Sequence, residues 1–168
     1  KGKWIVFFSH PNDFSPICTT EIIGLAKADT YFKKINTELI GISVDSLNSH
    51  LAWLYDIYLK TGLIVNFPII ADQNGVIARK YGMISNDVSS TETVRNIFII
   101  DDKGIIRSIF VYPMNIGRYI PEILRTVTAL QYSDQNNCMT PANWSPGNPM
   151  IVPPPKTFNA LRERNESI

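Results

Sequence analysis

Residues 4–21 read WIVFFSHPNDFSPICTTE. Lys3–Phe8 is a short run of bulky and β-branched apolar residues, the pattern of a buried strand. It stops in a cluster of turn formers, Ser9 to Asp13, in which Pro11, Asn12 and Asp13 bend the chain. Ser15 is a favoured N-cap. Pro16 suits the first helical position, where its missing N–H would have had no partner. Cys18 then falls in the first turn of a helix expected over residues 16–34, with Ile22, Leu25, Ala28, Phe32 and Ile35 on one face. Strand, tight loop, thiol and helix follow in that order.

Downstream the same alternation repeats. Glu38–Ser46 (ELIGISVDS) reads as a second buried strand, and 48–62 as a helix opened by an Asn or Ser cap and closed by Gly62. NFPIIAD is a short strand, and QNGVIARKYGM a short helix ending near Gly82. Residues 94–113 are two strands joined at Asp102–Lys103–Gly104, a hairpin signal. Residues 118–131 form the last clear helix. The order β-α-β-α-β-α-β-β-α, with βαβ crossovers first and a hairpin later, implies a mixed central sheet with helices on both faces. A thioredoxin-like α/β fold has this layout.

Residues 132–168 hold six of the eleven prolines and no long periodic segment. A disordered tail is one reading. Trp144 and the apolar MIVPPP favour an extended C-terminal arm docked on something, because a bare tail would leave those groups in water. The division is therefore 1–131 for the α/β domain and 132–168 for the arm.

At 168 residues and 45% hydrophobic, the chain can bury a core. A net charge of +1 without a basic block disfavours nucleic acid or an anionic membrane as partner. No apolar run reaches membrane-spanning length and no signal peptide is visible. Cys18 and Cys138 are far apart and form no CxxC. That excludes a disulfide framework, disfavours a thioredoxin-type dithiol and favours a reducing cytoplasm. With His10 and His50 they could supply metal ligands, but no spacing supports a metal, and none is expected. The chain opens KGKW without a methionine, which suggests that residues are missing at the front.

A solitary cysteine beside an apolar strand is ordinarily an inert packing residue. The capped helix start argues otherwise for Cys18, since its free N–H groups and partial positive charge favour an anion. That alone supplies about 0.3–1 kcal/mol. A free cysteine is only a few per cent thiolate at pH 7, so a cation is also required. A guanidinium about 4 Å away contributes on the order of 4 kcal/mol before desolvation.

FSHPNDFSPICTTE resembles the active-site segment of the peroxiredoxins, whose pattern Pro-x3-Thr/Ser-x2-Cys is met by Pro11, Ser15 and Cys18. The leading His-Pro is similar to the 1-Cys, or peroxiredoxin-6-type, subgroup. FPIIAD, RKYGM, ETVRNIFIIDDKGIIRSI, YPMNIGRYIPEILR and TPANWSPG resemble successive family blocks. The resemblance implies a thiol-dependent peroxidase, without cofactor, that reduces hydrogen peroxide and organic hydroperoxides through a cysteine sulfenic acid. It implies Cys18 as the peroxidatic cysteine and Arg95 as the arginine holding thiolate and peroxide. Ser15 would bond the peroxide, Pro11 shield the thiolate, and His10 line the pocket; Glu21 and Arg118 would orient Arg95 or stand near the thiolate. It further implies a thiol reductant, thioredoxin-like or small. A homodimer through the arm is expected, with rings as a higher assembly, and an N-terminal hairpin that this chain lacks. Thr140 stands where two-cysteine relatives carry a resolving cysteine, in MTPANW, while Cys138 lies two residues earlier. Cys138 is either an incidental loop cysteine or a displaced resolving one. The rival function is a peroxide sensor or chaperone-like binding protein that uses Cys18 without efficient turnover.

Overall fold

The computed structural model describes residues 2–84 and 87–166. Five strands form one mixed sheet: β1 (Trp4–Ser9), β2 (Thr37–Ser43), β3 (Ile69–Ala71), β4 (Arg95–Ile100) and β5 (Ile106–Tyr112). Their order is β3-β2-β1-β4-β5. β1 runs parallel to β2, and β2 to β3, each pair linked by a helix, α1 (Pro16–Lys34) or α2 (Leu47–Thr61). β4 and β5 are antiparallel, as a direct hairpin requires. The fold is the expected α/β, thioredoxin-like one.

Register decides the faces. Phe7 lies opposite Ile40 on β2 and Phe98 on β4, while Phe8 lies opposite Gly41 and Ile97. On the Phe7 face, Ile42, Ala78, Met83 and Phe98 close a core over which α3 (Val76–Lys80) lies. Tyr81 stands edge-on to both Phe7 and Phe98, at 5.0 and 5.4 Å. On the other face Phe8 meets Phe67 at 5.8 Å. Gly41 permits this, because a Cβ there would stand 3.1 Å from the Phe8 ring and 3.2 Å from Ile69. α1 lies on the Phe8 face, since Arg118 sits over the Phe8 ring while bonded to Glu21 of α1. Helices thus cover both sides. Ile22, Leu25 and Phe32 of α1 are fully buried, whereas Ala28 and Ile35 are only half-buried.

The hairpin turn forms as expected: Gly104 takes φ +86°, and the Asp101 carboxylate accepts from the amides of Lys103 and Ile105. Two expectations change. The last helix of the α/β region, α4, spans Ile120–Asn136, five residues beyond the expected end. A further helix, α5, spans Phe158–Glu166.

The chain divides into compact units Lys1–Leu124 and Arg125–Ile168. In the second, Trp144 is buried, donates its indole N–H to the Asn148 carbonyl and lies 6.0 Å from the Tyr132 ring. An isolated bridge joins Met139 to Ile151. Among the described residues no helix is long and apolar enough to cross a membrane.

Candidate active site

β1 ends at Ser9, and the chain turns through the buried His10, Pro11 and Asp13 before Phe14 takes φ +59°. That left-handed residue reverses the backbone so that Ser15 enters extended, at φ −67° and ψ 142°, and caps α1. Pro16 is the first helical residue. The Ser15 hydroxyl accepts the Cys18 N–H at 3.3 Å, and its carbonyl accepts both the amide and the hydroxyl of Thr19 at 2.9 Å. Trp53 of α2 donates to that same Thr19 hydroxyl at 3.1 Å. Cys18 is completely buried.

The cation that the thiol requires comes from β4, two strand positions away from β2 but adjacent to β1. Arg95 Nη1 stands 3.4 Å from Cys18 Sγ and 2.6 Å from Glu21 Oε2, and its Nε donates to the Met114 carbonyl at 3.0 Å. Among the described residues its Nη2 takes no protein acceptor. Glu21, one turn along α1 from Cys18, is shared. Arg118 donates to it from its backbone N–H at 2.9 Å, from Nε at 2.9 Å and from Nη2 at 2.7 Å. Arg118 Nη1 reaches the carbonyls of Ser9 and Asn96, at 2.9 and 3.2 Å. Two buried guanidiniums thus face one buried carboxylate. Burial alone would raise the Glu21 carboxyl, but the hydrogen bonds and charge of Arg118, with the charge of Arg95, hold it below its ordinary range. It stays ionised and fixes Arg95.

Sequence reasoning assembled Cys18, Ser15, Arg95, Glu21 and Arg118, and the structure brings those five together. His10 and Pro11 are buried in the loop that leads to them. Cys138 lies in the Arg125–Ile168 unit, half-buried, with Sγ 3.9 Å from the Tyr132 carbonyl. Missed were the Met114, Ser9 and Asn96 carbonyls, which no side-chain pattern reveals, and Asp13, read only as a turn former. The pairing of His10 with Asp13, three residues apart in the same loop, was the available signal.

His10, Asp13 and His50 are all buried, with ligand-type atoms within 4.8 Å of one another. Their closest separations, 2.8–3.0 Å, are those of hydrogen bonds. Two ligands on one tetrahedral ion at 2.0–2.1 Å would keep about 3.3 Å apart. Hydrogen bonding accounts for this cluster.

A thioredoxin-like sheet that seats a buried thiol in the first turn of a helix, against an arginine locked from behind, defines a thiol-based oxidoreductase. The AhpC/TSA family model matches residues 1–109, and the model for the C-terminal domain of 1-Cys peroxiredoxin matches residues 129–167. Peroxiredoxin 2 of Caldanaerobacter subterraneus subsp. tengcongensis is 53% identical over 168 residues, which are 100% of this chain and 76% of that protein. The peroxiredoxin of Aquifex aeolicus is 50% identical over 174 residues, covering 98% of this chain and 78% of its own. Among solved structures, a yeast mitochondrial 1-Cys peroxiredoxin, studied for thiol resolution via glutathione and thioredoxin systems, superposes with a TM-score of 0.87 at 41% identity. The match covers 96% of this chain and 79% of that one. A cysteine-to-serine mutant of peroxiredoxin 6 of Arenicola marina gives 0.86 at 35%, covering 96% and 76%. The chain belongs to the peroxiredoxin family, with features of its 1-Cys, peroxiredoxin-6-type branch. It is a thiol-dependent peroxidase.

Proposed function

We propose that the chain reduces hydrogen peroxide and organic hydroperoxides through Cys18 sulfenic acid. The observation that carries this reading is the Arg95 guanidinium 3.4 Å from a thiol seated in a helix's first turn. The Cys18 thiolate attacks the terminal oxygen of ROOH. The S–O bond forms as the O–O bond breaks; sulfur is oxidised by two electrons, and the departing oxygen leaves with the electron pair and takes up a proton as water or alcohol. Charge grows on that leaving oxygen, and this reading assigns the Arg95 guanidinium and the Ser15 hydroxyl as the donors that meet it. Glu21 and Arg118 keep Arg95 in place, Pro11 shields the thiolate, and His10 lines the pocket. The site needs no metal or organic cofactor.

A second turnover requires a thiol to attack the sulfenic sulfur, releasing water and leaving a mixed disulfide that another thiol reduces. A thioredoxin-like protein or a small thiol would serve, in the reducing cytoplasm, with Cys138 as an internal alternative. We assign residues 1–131 to the peroxidase domain and 132–168 to a dimerisation arm. The exposed Val152, Phe158 and Leu161 support a partner surface there.

One equivalent of peroxide added to the reduced chain should convert Cys18, and not Cys138, to a species trapped by a sulfenic-acid reagent, read by mass spectrometry. Cys18→Ser should abolish both the adduct and steady peroxide consumption with a thiol reductant. A sensor would form the adduct but sustain no turnover. Persistent consumption in Cys18→Ser would overturn the assignment.

A further inference from the structure

The backbone ladder between β1 and β4 runs from Ile5 opposite Ile100 to Phe8 opposite Ile97 and stops there. One step further would set Ser9 against Asn96, beside the point where Arg95 leaves the sheet for the thiol. At this step side-chain hydroxyls take over from the backbone. The Ser9 hydroxyl accepts the Asn96 N–H at 3.2 Å and donates to the Val94 carbonyl. Just beyond, the Thr93 hydroxyl donates to the His10 carbonyl.

Ser9 is fully buried, and the two peptide groups that its hydroxyl joins belong to the residues on either side of Arg95. Alternate residues of a strand turn their N–H and C=O to the same edge. Val94 and Asn96 therefore face β1, while Arg95 faces β5, where it pairs with Tyr112. The Asn96 N–H also reaches the Val94 carbonyl, at 3.1 Å, a contact that curls the chain at Arg95. The Ser9 hydroxyl spans that curl.

Both arginines of the site depend on this residue. Arg95 projects from the spanned segment to bring Nη1 within 3.4 Å of Cys18 Sγ. The Ser9 carbonyl accepts from Arg118 Nη1 at 2.9 Å, and Arg118 grips the Glu21 that holds Arg95. The Met114 carbonyl and Glu21 fix the guanidinium; the Ser9 hydroxyl fixes the backbone from which it hangs. A small rotation of that backbone grows along the arginine stem into a larger displacement of its head. About 1 Å of misplacement near reacting atoms can cost about 10²-fold in rate.

We propose that Ser9 is a positioning residue for the peroxidase reaction: its hydroxyl, bridging the peptide groups on either side of Arg95, sets the direction in which the guanidinium leaves β4 and so its contact with Cys18. The proposal rests on the peroxidase reading above. The single hydroxyl hydrogen is committed to Val94, so Ser9 donates nothing to the peroxide and acts through Arg95.

Stoichiometric hydrogen peroxide should oxidise Cys18 about 10- to 100-fold more slowly in Ser9→Ala than in the wild type. Ser9→Thr, which keeps the hydroxyl, should recover part of the loss. In an Arg95→Ala background, Ser9→Ala should change the rate by less than about two-fold, because no guanidinium remains to be placed. An unchanged rate in Ser9→Ala alone would overturn the proposal. So would an equal loss in both backgrounds, which is what a merely structural serine gives. Should Ser9→Ala fail to fold, proton NMR of the wild-type chain decides. The Ser9 hydroxyl proton should exchange slowly with water and lie close to the Asn96 amide proton; fast exchange, or no contact between the two, would overturn the proposal. A wild-type chain that shows this contact while Cys18 stays inert to peroxide would instead sink the peroxidase reading, and this role with it.

Discussion

Arg95 can face Cys18 because its neighbours leave it no other orientation. Its Nε is held by the Met114 carbonyl and its Nη1 by Glu21, itself gripped by Arg118. A lysine could supply the charge but not this fork, since its ammonium is a point charge on a flexible stem. Arg95→Ala should therefore slow Cys18 oxidation by about 10²- to 10³-fold, the usual effect of removing one donor from a charge-stabilising site. Arg95→Lys should recover only part of it. Stopped-flow tryptophan fluorescence with stoichiometric peroxide checks both; a full recovery by lysine would show that charge alone suffices. Such roles were legible residue by residue only where a family pattern exists. Glu21 read alone is one more helix acid, and only folding sets it between two guanidiniums.

α1 is the element that turns local sequence into chemistry. Its start at Pro16, its cap at Ser15 and the place of Cys18 in the first turn were all readable, because capping involves atoms within three residues of one another. Ser15 has two roles, cap and peroxide donor, and two substitutions separate them. Ser15→Ala should cost about 1 kcal/mol of stability, while Ser15→Gly should cost only a few tenths. If the hydroxyl also serves the peroxide, both should slow Cys18 oxidation by a similar factor. Denaturant melts and peroxide kinetics on the pair settle this; a rate that merely tracked stability would remove the hydroxyl from the mechanism. α5 was not readable, because RERNES carries little apolar periodicity and three prolines precede it closely. The extension of α4 to Asn136 was missed for a related reason: YSDQN is polar on every side and gives no face to detect.

For the molecule as a whole, the buried ion pairs set the response to acid. Glu21 and Asp13 both titrate below their ordinary values of 4.5 and 3.8, because the arginines and the two histidines outweigh burial. A carboxyl depressed on folding stabilises above its unfolded value, and that stability is lost as pH falls through the lower folded value. His50, raised from 6.5, contributes below that value and loses it as pH rises; His10, lowered, acts in the opposite sense. The two histidines therefore act in opposite directions near neutrality. Thermal melts should change little from about pH 6 to 8 and fall steeply below about pH 4. A steep loss already at pH 6 would show that His10 dominates. In the proposed assembly, Phe158, 77% exposed, and Val152, 67% exposed, sit on the arm. Val152→Asp with Phe158→Asp should shift light-scattering mass from dimer towards monomer; an unchanged mass would place the interface elsewhere.

What could be known from the chain alone was the part governed by neighbours in sequence. The strand-turn-helix of residues 4–34, the Asp102–Lys103–Gly104 turn and the alternation that makes a mixed sheet are products of backbone sterics, capping and periodicity. Those forces act over a few residues, so they leave their mark in the order of amino acids. The meeting of Cys18 with Arg95 across 77 positions, the clasp of Arg118 on Glu21 across 97, and the row His50–Asp13–His10 were decided only by tertiary structure. β4 lies antiparallel against β1, and α2 returns beside the loop; hydrogen bonds and charges between such distant residues exist only once the sheet has closed.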